Sequence, residues 1–318
     1  MNERQTKNYF ADKTCLVTGG AGFIGSSLVE ELISLDAKVR VVDNLSVGTH
    51  NLKLIKGLGA DFLEIDVCNF DLLSDVFKKV EIVFHLAAMN RAQRSINDPI
   101  ASNNVNVNGT LNCLHLSHLN NIQKFVFVSS SSVYKGVQNE TLKEDMKLEP
   151  LHPYGVGKLA SEHYCRIYND LFNLNTTILR YFSVYGPRQR GGIEHAGVIA
   201  KFFLQAKNNK DITIYGDGKQ KRNFSFVTDV AKGTVLAAEK QDVKGHVINI
   251  ASEHESTVLE IAQKIVKITG SSSNIVHLKP LKGDPARNRA DVNKSKKLLG
   301  FSAKYSIDEG LKFINERL

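Results

Sequence analysis

The chain of 318 residues predicts an α/β fold, in which a doubly wound parallel sheet is followed by a smaller α/β substrate-binding lobe. Two observations support this prediction. In the first half, short and nearly continuously apolar runs alternate with longer segments whose apolar residues have helical spacing. From about residue 185 the apolar runs become shorter, and glycine and basic residues cluster at 186–192 and 216–222. We therefore expect one domain over 1–185 and a second over 186–318, with the chain crossing between them.

Five apolar runs of the first domain are predicted to be parallel strands, because strands buried on both faces show no polar alternation. They are Thr14–Thr18, Lys38–Asp43, Asp61–Ile65, Ile82–Leu86 and Lys124–Ser129. Apolar residues recur at i, i+3, i+4 and i+7 in Gly25–Leu35 and Phe70–Lys79, which predicts helices between the strands. Strands that alternate with helices favour right-handed crossovers and a doubly wound sheet.

Two further helices are predicted in the second domain from their capping residues. Asp229–Glu239 begins with an aspartate, and Ser256–Ile268 begins with a serine followed by Glu260 in the first turn. Short polar side chains of this kind accept hydrogen bonds from the first backbone N–H groups of a helix. We therefore expect Asp229 and Ser256 to be the caps.

The composition is that of a globular protein, with 42% hydrophobic and 23% charged residues. No run approaches the ~18 apolar residues that a membrane helix needs, and the polar opening segment argues against a secretory signal. The four cysteines are scattered without a CxxC pair, which is typical of reduced thiols in a cytoplasmic protein. His115 and His118 lie on an apolar helix with no third ligand nearby, so packing explains them better than a metal site does.

The net charge of +8 is distributed unevenly along the chain. Residues 1–180 hold 18 basic against 19 acidic residues, whereas 181–318 hold 23 against 14. A basic second half is compatible with nucleic acid, with a membrane surface, with a smaller anionic ligand, or with a solvated face that has no partner.

A glycine-rich loop follows the first predicted strand and opens a helix, which is the context of a dinucleotide site in a Rossmann sheet. In Thr18–Gly25, Gly19 permits the tight turn, Gly22 lets a pyrophosphate approach the backbone, and Gly25 lets the helix pack closely on the sheet. Asp43, at the end of the second strand, is placed to accept both ribose hydroxyls and to repel a 2′-phosphate. The sequence therefore predicts NAD rather than NADP as the cofactor.

A candidate catalytic group combines a tyrosine, a lysine and a serine-rich turn. Tyr154 and Lys158 form a YxxxK pair at the start of a predicted helix, and this i, i+4 spacing places both on one face. Tyrosine has an ordinary pKa of ~10, and a neighbouring ammonium would lower it enough for the phenol to act as a base. Serines 129–132 end the fifth strand, where hydroxyls could bind a substrate oxygen.

Taken together, the sequence segments TGGAGFIG, HLAA, PYGVGK and RYFSVYGPRQ, with the serine run and Asp43, resemble an extended short-chain dehydrogenase/reductase. The resemblance runs from about residue 13 to 315 and is nearest to the nucleotide-sugar 4-epimerases. It implies a bound NAD, a catalytic Ser–Tyr–Lys set and a UDP-sugar or related substrate. It also implies a homodimer formed through helices near 100–118 and 153–171.

The site residues that the resemblance implies fall into three groups. The catalytic residues would be Ser130, Tyr154 and Lys158. The cofactor would contact Gly19, Gly22, Phe23, Ile24, Gly25, Asp43, Asn44, Asp66, Val67, Leu86, Ala87, Ala88, Asn106, Tyr154, Lys158 and Tyr181. The substrate would contact Arg94, Ser131, Ser132, Ser183, Val198, Tyr215, Arg222, Asp284 and Arg287.

Two positions next to Ser130 discriminate among the reactions of such relatives. Sugar nucleotide 4,6-dehydratases carry an acidic pair there, and decarboxylating relatives usually carry a glutamate in this stretch, whereas this chain has Ser131 and Ser132. Without a carboxylate, loss of water has no obvious acid or base. These serines therefore favour simple oxidation and reduction at C4. Asn288, at a position where bulkier residues exclude N-acetyl sugars, permits such a group.

The sequence thus predicts an NAD-dependent UDP-sugar 4-epimerase of the UDP-glucose/galactose or UDP-GlcNAc/GalNAc type, working through a 4-keto intermediate. One alternative is a nucleotide-sugar 4-ketoreductase, or another NAD-dependent sugar-nucleotide oxidoreductase, on the same scaffold. A second is an inactive NAD-sensing or nucleic-acid-binding protein, which the basic second half motivates and the intact Ser130, Tyr154 and Lys158 set argues against. We expect no nucleic-acid partner, no membrane partner and no metal.

Overall fold

The computed structural model of the protein describes residues 3–135, 140–192, 196–280 and 287–317. The strands are β1 (Thr14–Thr18), β2 (Lys38–Asp43), β3 (Asp61–Glu64), β4 (Ile82–His85), β5 (Lys124–Ser130), β6 (Thr176–Tyr181), β7 (Val184–Tyr185), β8 (Ile212–Tyr215), β9 (Lys221–Arg222), β10 (Ser225–Phe226), β11 (Val247–Ile250), β12 (Ser256–Thr257), β13 (Ile275–Leu278) and β14 (Arg287–Asn288). The five strands predicted in the first half are all present, with ends that differ by at most one residue.

The α-helices of the described residues lie between these strands. They are α1 (Glu3–Phe10), α2 (Phe23–Ser34), α3 (Leu52–Gly57), α4 (Phe70–Ser74), α5 (Ala92–Asn97), α6 (Pro99–Asn103), α7 (Gly109–Leu119), α8 (Pro153–Phe172), α9 (Val198–Lys207), α10 (Val227–Glu239), α11 (Val258–Thr269), α12 (Asn293–Leu299) and α13 (Ile307–Asn315). Short 3₁₀ turns cover Asp75–Phe77 and Ser131–Val133, and a π-helical turn covers Asn104–Asn108.

Seven parallel strands form the main sheet in the order β3-β2-β1-β4-β5-β6-β11. The strand order reverses between β1 and β4, so the carboxyl ends of these two strands form the crevice where doubly wound sheets bind ligands. The predicted doubly wound parallel sheet is confirmed.

Each face of this sheet is covered by its own apolar core. On one face α2 and α10 pack against the strands, with Leu28, Val41 and Ile248 fully buried among them. On the other face α7 and α8 pack over Phe125 and Phe127. Burying one such side chain contributes about 1.5–3 kcal/mol, so the sheet is a rigid base for the residues at its carboxyl edge.

The second packing unit is built from α9, α11 and α13 with short strands. Its core holds Phe202, Phe203, Ile261 and Leu311. The small sheet β12-β9-β14 belongs to this unit, and Asn288 in β14 donates a hydrogen bond to Ser131 at the end of β5. The second unit therefore sits over the carboxyl edge of the main sheet. The chain returns to the main sheet through α10 and β11, which follow residue 185.

Three predictions about helix ends need correction. Asp229 lies inside α10, whose N-cap is Phe226, and its carboxylate instead accepts hydrogen bonds from the backbone of Lys304 and Tyr305. The cap of α11 is Thr257 rather than Ser256, and Thr257 forms a capping box with Glu260. The helix predicted over 70–79 ends at Ser74 and continues as a 3₁₀ turn.

Candidate active site

The glycine-rich loop between β1 and α2 brings the backbone close to its neighbours. Gly19 has a φ of +71°, and a Cβ on it would lie 2.8 Å from the backbone nitrogen of Ala87. A Cβ on Gly25 would lie 2.1 Å from the carbonyl oxygen of Gly19, so only glycine allows this helix to start so close to the loop. Gly22 caps α2 without a side-chain hydrogen bond, which leaves the first turn, with Phe23 and Ile24, open to an anion.

Asp43 is held at the end of β2 by backbone groups. Its carboxylate accepts hydrogen bonds from the N–H of Leu45 at 2.8 Å and of Ala21 at 3.1 Å. Partial burial raises the pKa of Asp43, and these backbone hydrogen bonds oppose the rise. Asn44 donates to Asp66 at 2.7 Å, and Val67 lies buried beneath this edge. An anion site at a helix N-terminus with an oriented carboxylate one strand away fits the pyrophosphate and ribose of NAD.

The end of β4 is fixed by a buried chain of hydrogen bonds through His85. The Thr110 hydroxyl donates its only proton to the Asn106 carbonyl, so it must accept from His85 Nε2, at 3.0 Å. In the neutral ring His85 Nδ1 then carries no proton and accepts from the Thr18 hydroxyl at 2.7 Å. The Thr18 hydroxyl accepts in turn from the N–H of Ala87. Burial lowers the pKa of His85 to about 3, which keeps this tautomer neutral. These hydrogen bonds hold the segment that contains Leu86, Ala87 and Ala88 beside the glycine loop.

Two predicted cofactor residues use their side chains elsewhere. The Asn106 amide is fully buried and holds the backbone of Met89, accepting from its N–H at 3.1 Å and donating to its carbonyl at 3.2 Å. The Thr234 hydroxyl of α10 donates its only proton to the Val230 carbonyl, so it accepts from the Tyr181 hydroxyl. This hydrogen bond lies inside the core on the α2 side of the sheet. Their side-chain polar groups are thus bound to protein groups, and the contacts of Asn106 and Tyr181 with the cofactor stay a prediction.

Ser130 and Tyr154 are brought together by the ends of β5 and α8. Pro153 is the first residue of α8, and the His152 side chain caps this helix by accepting from the N–H of Gly155 at 3.2 Å. The Ser130 hydroxyl accepts from the N–H of Ser132 at 3.1 Å and lies beside the Tyr154 phenol, close enough to act on its pKa. Burial raises the pKa of Tyr154, while the Ser130 hydroxyl and the charge of Arg91 lower it.

Lys158 lies one helical turn after Tyr154 and is buried. Its ammonium donates to the carbonyl of Val128 at 2.8 Å and lies 4.8 Å from the Phe127 ring centroid and 6.0 Å from that of Tyr154. Burial lowers the pKa of Lys158 to about 7, although the negative charges of Cys165 and Glu162 act to raise it. The cation that acts on the Tyr154 phenol in this structure is Arg91, which the sequence did not single out.

A buried ion pair beneath the catalytic residues is a second feature that sequence reasoning missed. Arg180 of β6 and Glu162 of α8 are fully buried and joined by two hydrogen bonds, of 2.9 and 2.6 Å. Glu162 also accepts from Ser129 at 2.5 Å, and Arg180 donates to the Tyr134 hydroxyl at 2.7 Å. The signal was present, because Glu162 continues the i, i+4 series of Tyr154 and Lys158. The network fixes α8 against the serine turn.

The predicted substrate residues of the serine turn and the second unit converge on the same edge. Ser131 is buried and accepts from Asn288 at 2.9 Å, while Ser132 is half-buried beside it. Arg222 lies opposite Asn288 in the small sheet. Ser183 has a φ of +35°, and its carbonyl accepts from the N–H of Ser225 in β10.

The remaining predicted substrate residues are less uniform. Arg287 is paired with Glu255 through two hydrogen bonds, which neutralise much of its charge. Tyr215 ends β8 with Lys201 stacked over its ring at 4.9 Å. Val198 begins α9, Arg94 is half-buried in α5, and Asp284 lies outside the described residues.

The part of the chain that the structure describes has no helix long and apolar enough to cross a membrane.

Comparison with known proteins agrees with this site. The model of the NAD dependent epimerase/dehydratase family matches residues 15–251. The crystal structure of UDP-glucose 4-epimerase with UDP-glucose from Thermotoga maritima is 35% identical, with a TM-score of 0.90 over 95% of this chain and 97% of that chain. UDP-glucuronic acid 4-epimerase from Bacillus cereus, in complex with UDP-glucuronic acid and NAD, is 34% identical, with a TM-score of 0.87 over 95% and 98%.

A relative with another reaction is equally similar. The UDP-N-acetyl-alpha-D-glucosaminuronate decarboxylase of Bacillus cytotoxicus is 35% identical over 311 residues, covering 94% of this chain and 96% of that protein. Overall identity therefore does not separate the reactions, and the residues of the site must do so. On its fold, its glycine loop and these matches, the chain belongs to the NAD dependent epimerase/dehydratase family.

Proposed function

We propose that this protein is an NAD-dependent UDP-sugar 4-epimerase that oxidises and reduces the sugar reversibly at C4. The observation that carries the proposal is the placement of Ser130 beside Tyr154, where it lowers the pKa of the phenol, next to the buried Lys158, combined with serines at positions 131 and 132. These residues can hold and deprotonate a sugar hydroxyl. No carboxylate stands at the two positions where dehydration or decarboxylation would need one.

In the proposed reaction, the chain's own groups handle the proton of the C4 hydroxyl. The Tyr154 phenolate removes this proton, and the Ser130 hydroxyl, which lies beside the phenol and lowers its pKa, holds the substrate oxygen in line with it. Lys158 would bind the nicotinamide ribose, and the charge of Arg91 favours the ionised phenol. Bound NAD would supply the acceptor for the C4 hydride and, once reduced, the hydride donor for the 4-keto sugar.

The second packing unit, within 186–318, is proposed to hold the nucleotide and diphosphate. Arg222 lies in the central strand of the small sheet and pairs with Asn288, which contacts the serine turn. Arginine suits phosphate because its planar donors bind two oxygens at once. Because a sugar anchored only through its diphosphate can rotate, the 4-keto form can present either face. This arrangement accounts for epimerisation rather than a single reduction.

The proposal is tested by incubating the enzyme, without added cofactor, with UDP-glucose, UDP-N-acetylglucosamine and UDP-glucuronic acid and following C4 by NMR. Interconversion of any C4 epimers is expected, because the cofactor is regenerated in each cycle. Failure to interconvert any of them would overturn the epimerase proposal. Net consumption of NADH with a 4-keto sugar would instead identify a 4-ketoreductase.

A homodimer is also proposed, from an apolar surface shared by α6 and α8. Five apolar side chains are exposed there, and their exposed fractions are 82% for Ile100, 53% for Val156, 44% for Ile167, 75% for Leu171 and 43% for Phe172. Val156, Ile167 and Leu171 lie on one helical face of α8, Phe172 lies beside this face at the end of the helix, and α6 packs beside α8. Such a patch suits an isologous helix-to-helix interface. Light scattering should give twice the monomer mass, and an Ile100→Glu/Leu171→Glu variant should give a monomer.

The location and partners follow from the same features. All four cysteines are unpaired, and three of them are buried, which is consistent with a reducing compartment. We therefore propose a cytoplasmic enzyme with a nucleotide-sugar as its partner, and no nucleic acid. Cell fractionation with an epitope-tagged chain checks the compartment.

A further inference from the structure

We propose that Arg91 binds a carboxylate carried by the sugar, so that the preferred substrate of this site is an acidic UDP-sugar. The proposal deepens the 4-epimerase function proposed above and rests on it. Arg91 immediately precedes α5, three residues after Ala88 at the carboxyl edge of the main sheet.

Arg91 is held in the cleft by the loop that follows β4. Asn106 binds both backbone polar groups of Met89, two residues earlier, and so fixes the path of this loop. Helix α5, which begins just after Arg91, packs against α8, the helix that presents Tyr154. The Arg91 guanidinium is close enough for its charge to act on the Tyr154 phenol. Arg91 therefore shares the space where the reacting end of the sugar must lie.

Among the residues that the structure describes, no acidic side chain pairs with Arg91. Its side chain is half-buried, and within the described ranges it makes no hydrogen bond and no ion pair. Other arginines around the cleft are paired: Arg180 with Glu162, Arg188 with Glu30 and Arg287 with Glu255. Partly burying a guanidinium without a counter-charge is unfavourable, and a bound anion removes that penalty.

The backbone at Arg91 is strained as well. Its φ is +83° and its ψ is +127°, a region that suits glycine and costs other residues about 1–3 kcal/mol. Strain of this kind persists where a side chain must be presented in a set direction, and it clusters at ligand sites. An arginine at such a position, without a protein partner, points to a ligand that only this side chain reaches.

The position of Arg91 selects the kind of anion. A nucleotide-sugar offers its diphosphate, which is attached at C1, and any acidic group on the sugar. C1 and C4 lie at opposite ends of the pyranose ring, and in the proposed reaction Tyr154 acts at C4. An anion beside Tyr154 is therefore a carboxylate on the sugar, either at C6 as in a uronate or on a C3 substituent. A guanidinium binds a carboxylate through two parallel hydrogen bonds.

The experiment compares two matched pairs of ligands by calorimetric binding and by turnover. UDP-glucose and UDP-glucuronic acid differ only at C6, and UDP-N-acetylglucosamine and UDP-N-acetylmuramic acid differ only at the C3 oxygen. We expect the wild type to bind the acidic member of one pair about 10- to 100-fold more tightly than its neutral counterpart, as for a charge-assisted pair. The pair that shows this preference identifies the position of the carboxylate.

Arg91→Gly should abolish the preference without loss of stability, because glycine suits the positive φ. Lys79→Gly is the matched control: it removes one positive charge and one non-glycine residue at φ +61°, but at an exposed turn before the other end of β4. This control should keep the preference, and thermal unfolding should show both variants folded.

The proposal is overturned if the wild type binds neither acidic ligand more tightly than its neutral counterpart. It is also overturned if Arg91→Gly weakens both members of a pair equally, which would place Arg91 on the diphosphate. Binding decides this inference whether or not turnover occurs. Absence of turnover with all four ligands would count against the 4-epimerase function alone.

Discussion

The two sides of the cleft are organised in different ways. On the catalytic side, formed by β5, β6 and α8, the polar groups beneath the serine turn have partners even where they are buried, as Arg180, Glu162 and Ser129 show. The buried Oδ1 of Asn169, which has no partner, lies in the last turn of α8, away from the serine turn. On the nucleotide side, formed by 184–192 and the small sheet, strands are two residues long. Buried polar atoms there lack partners, namely Nε of Arg188 and Oδ1 of Asn288.

This difference indicates that the chemistry is preorganised while the nucleotide side is completed by its ligand. A group that must transfer a proton needs a fixed distance and direction, and a saturated buried network supplies both. A side that binds and releases the nucleotide benefits from polar atoms that are free to take a new partner. Substitutions on the catalytic side should therefore lower kcat and stability, whereas substitutions on the nucleotide side should weaken binding.

The largest effect is expected for Tyr154→Phe on the catalytic side. Removing the phenol removes the proposed base, and general base catalysis contributes about 10²–10⁴-fold to a rate. We expect kcat for C4 interconversion, followed by NMR, to fall by this factor while the affinity for the UDP-sugar changes little. Ser130→Ala should lower kcat less, since the phenol remains. An unchanged kcat in Tyr154→Phe would remove Tyr154 from the reaction.

The next effect is expected from the buried pair under the site. Glu162→Gln leaves the Arg180 guanidinium buried without its counter-charge, which costs about 3–5 kcal/mol of the free energy of unfolding. Urea denaturation measures this loss. In the double variant Glu162→Leu/Arg180→Met the charge is gone as well, so most of the stability should return. Activity should stay low in both if the pair positions α8, and recovery of full activity in the double variant would show that it does not.

Much of this fold could be predicted from the sequence, because its signals are local. Strands buried on both faces are uninterrupted apolar runs, so β1 and β2 were located to the residue. Pro153 marked the start of α8 because proline lacks the N–H that the first turn does not need. The glycine loop was equally plain, since spacing alone shows where the backbone must come close.

What could not be predicted depends on which groups meet in three dimensions. Whether a predicted acid caps a helix depends on distant donors, and Asp229 is used by the backbone of Lys304 instead. Asn106 and Tyr181 are predicted to contact the cofactor from the family resemblance, and the sequence does not show that their side-chain polar atoms bind Met89 and Thr234. The half-buried charge and positive φ of Arg91 are tertiary properties with no local signature.

Two asparagines give a direct test of the comparison through stability. Asn249, on the catalytic side, accepts from Tyr134 at 2.9 Å and donates to Leu142 at 2.9 Å and to Asp291 at 3.2 Å. Asn288, on the nucleotide side, makes one hydrogen bond, to Ser131, and its oxygen is unsatisfied. Asn249→Ala should lose about 2–3 kcal/mol in urea unfolding, whereas Asn288→Ala should lose under about 1 kcal/mol.

Asn288→Ala should raise the KM for the UDP-sugar, because the variant lacks the amide that contacts Ser131 and so changes the surface that binds the substrate. Asn249→Ala is the matched control, an amide of the same size removed from the saturated side. Equal losses of stability in the two variants would mean that the sides do not differ as described.

The smallest effect concerns the helix cap at His152. Burial lowers the pKa of His152, and its Nδ1 can accept from the N–H of Gly155 only while the ring is neutral. Because the folded pKa lies below the unfolded value of ~6.5, this contribution is fully present above pH 6.5 and is lost as the pH falls toward the folded pKa. His152→Ser keeps a capping oxygen that does not titrate. The free energy of unfolding of the wild type should therefore fall relative to that of His152→Ser, by up to about 1 kcal/mol, between pH 7.5 and pH 5. A difference that stays constant across this range would show that the cap does not depend on the charge of His152.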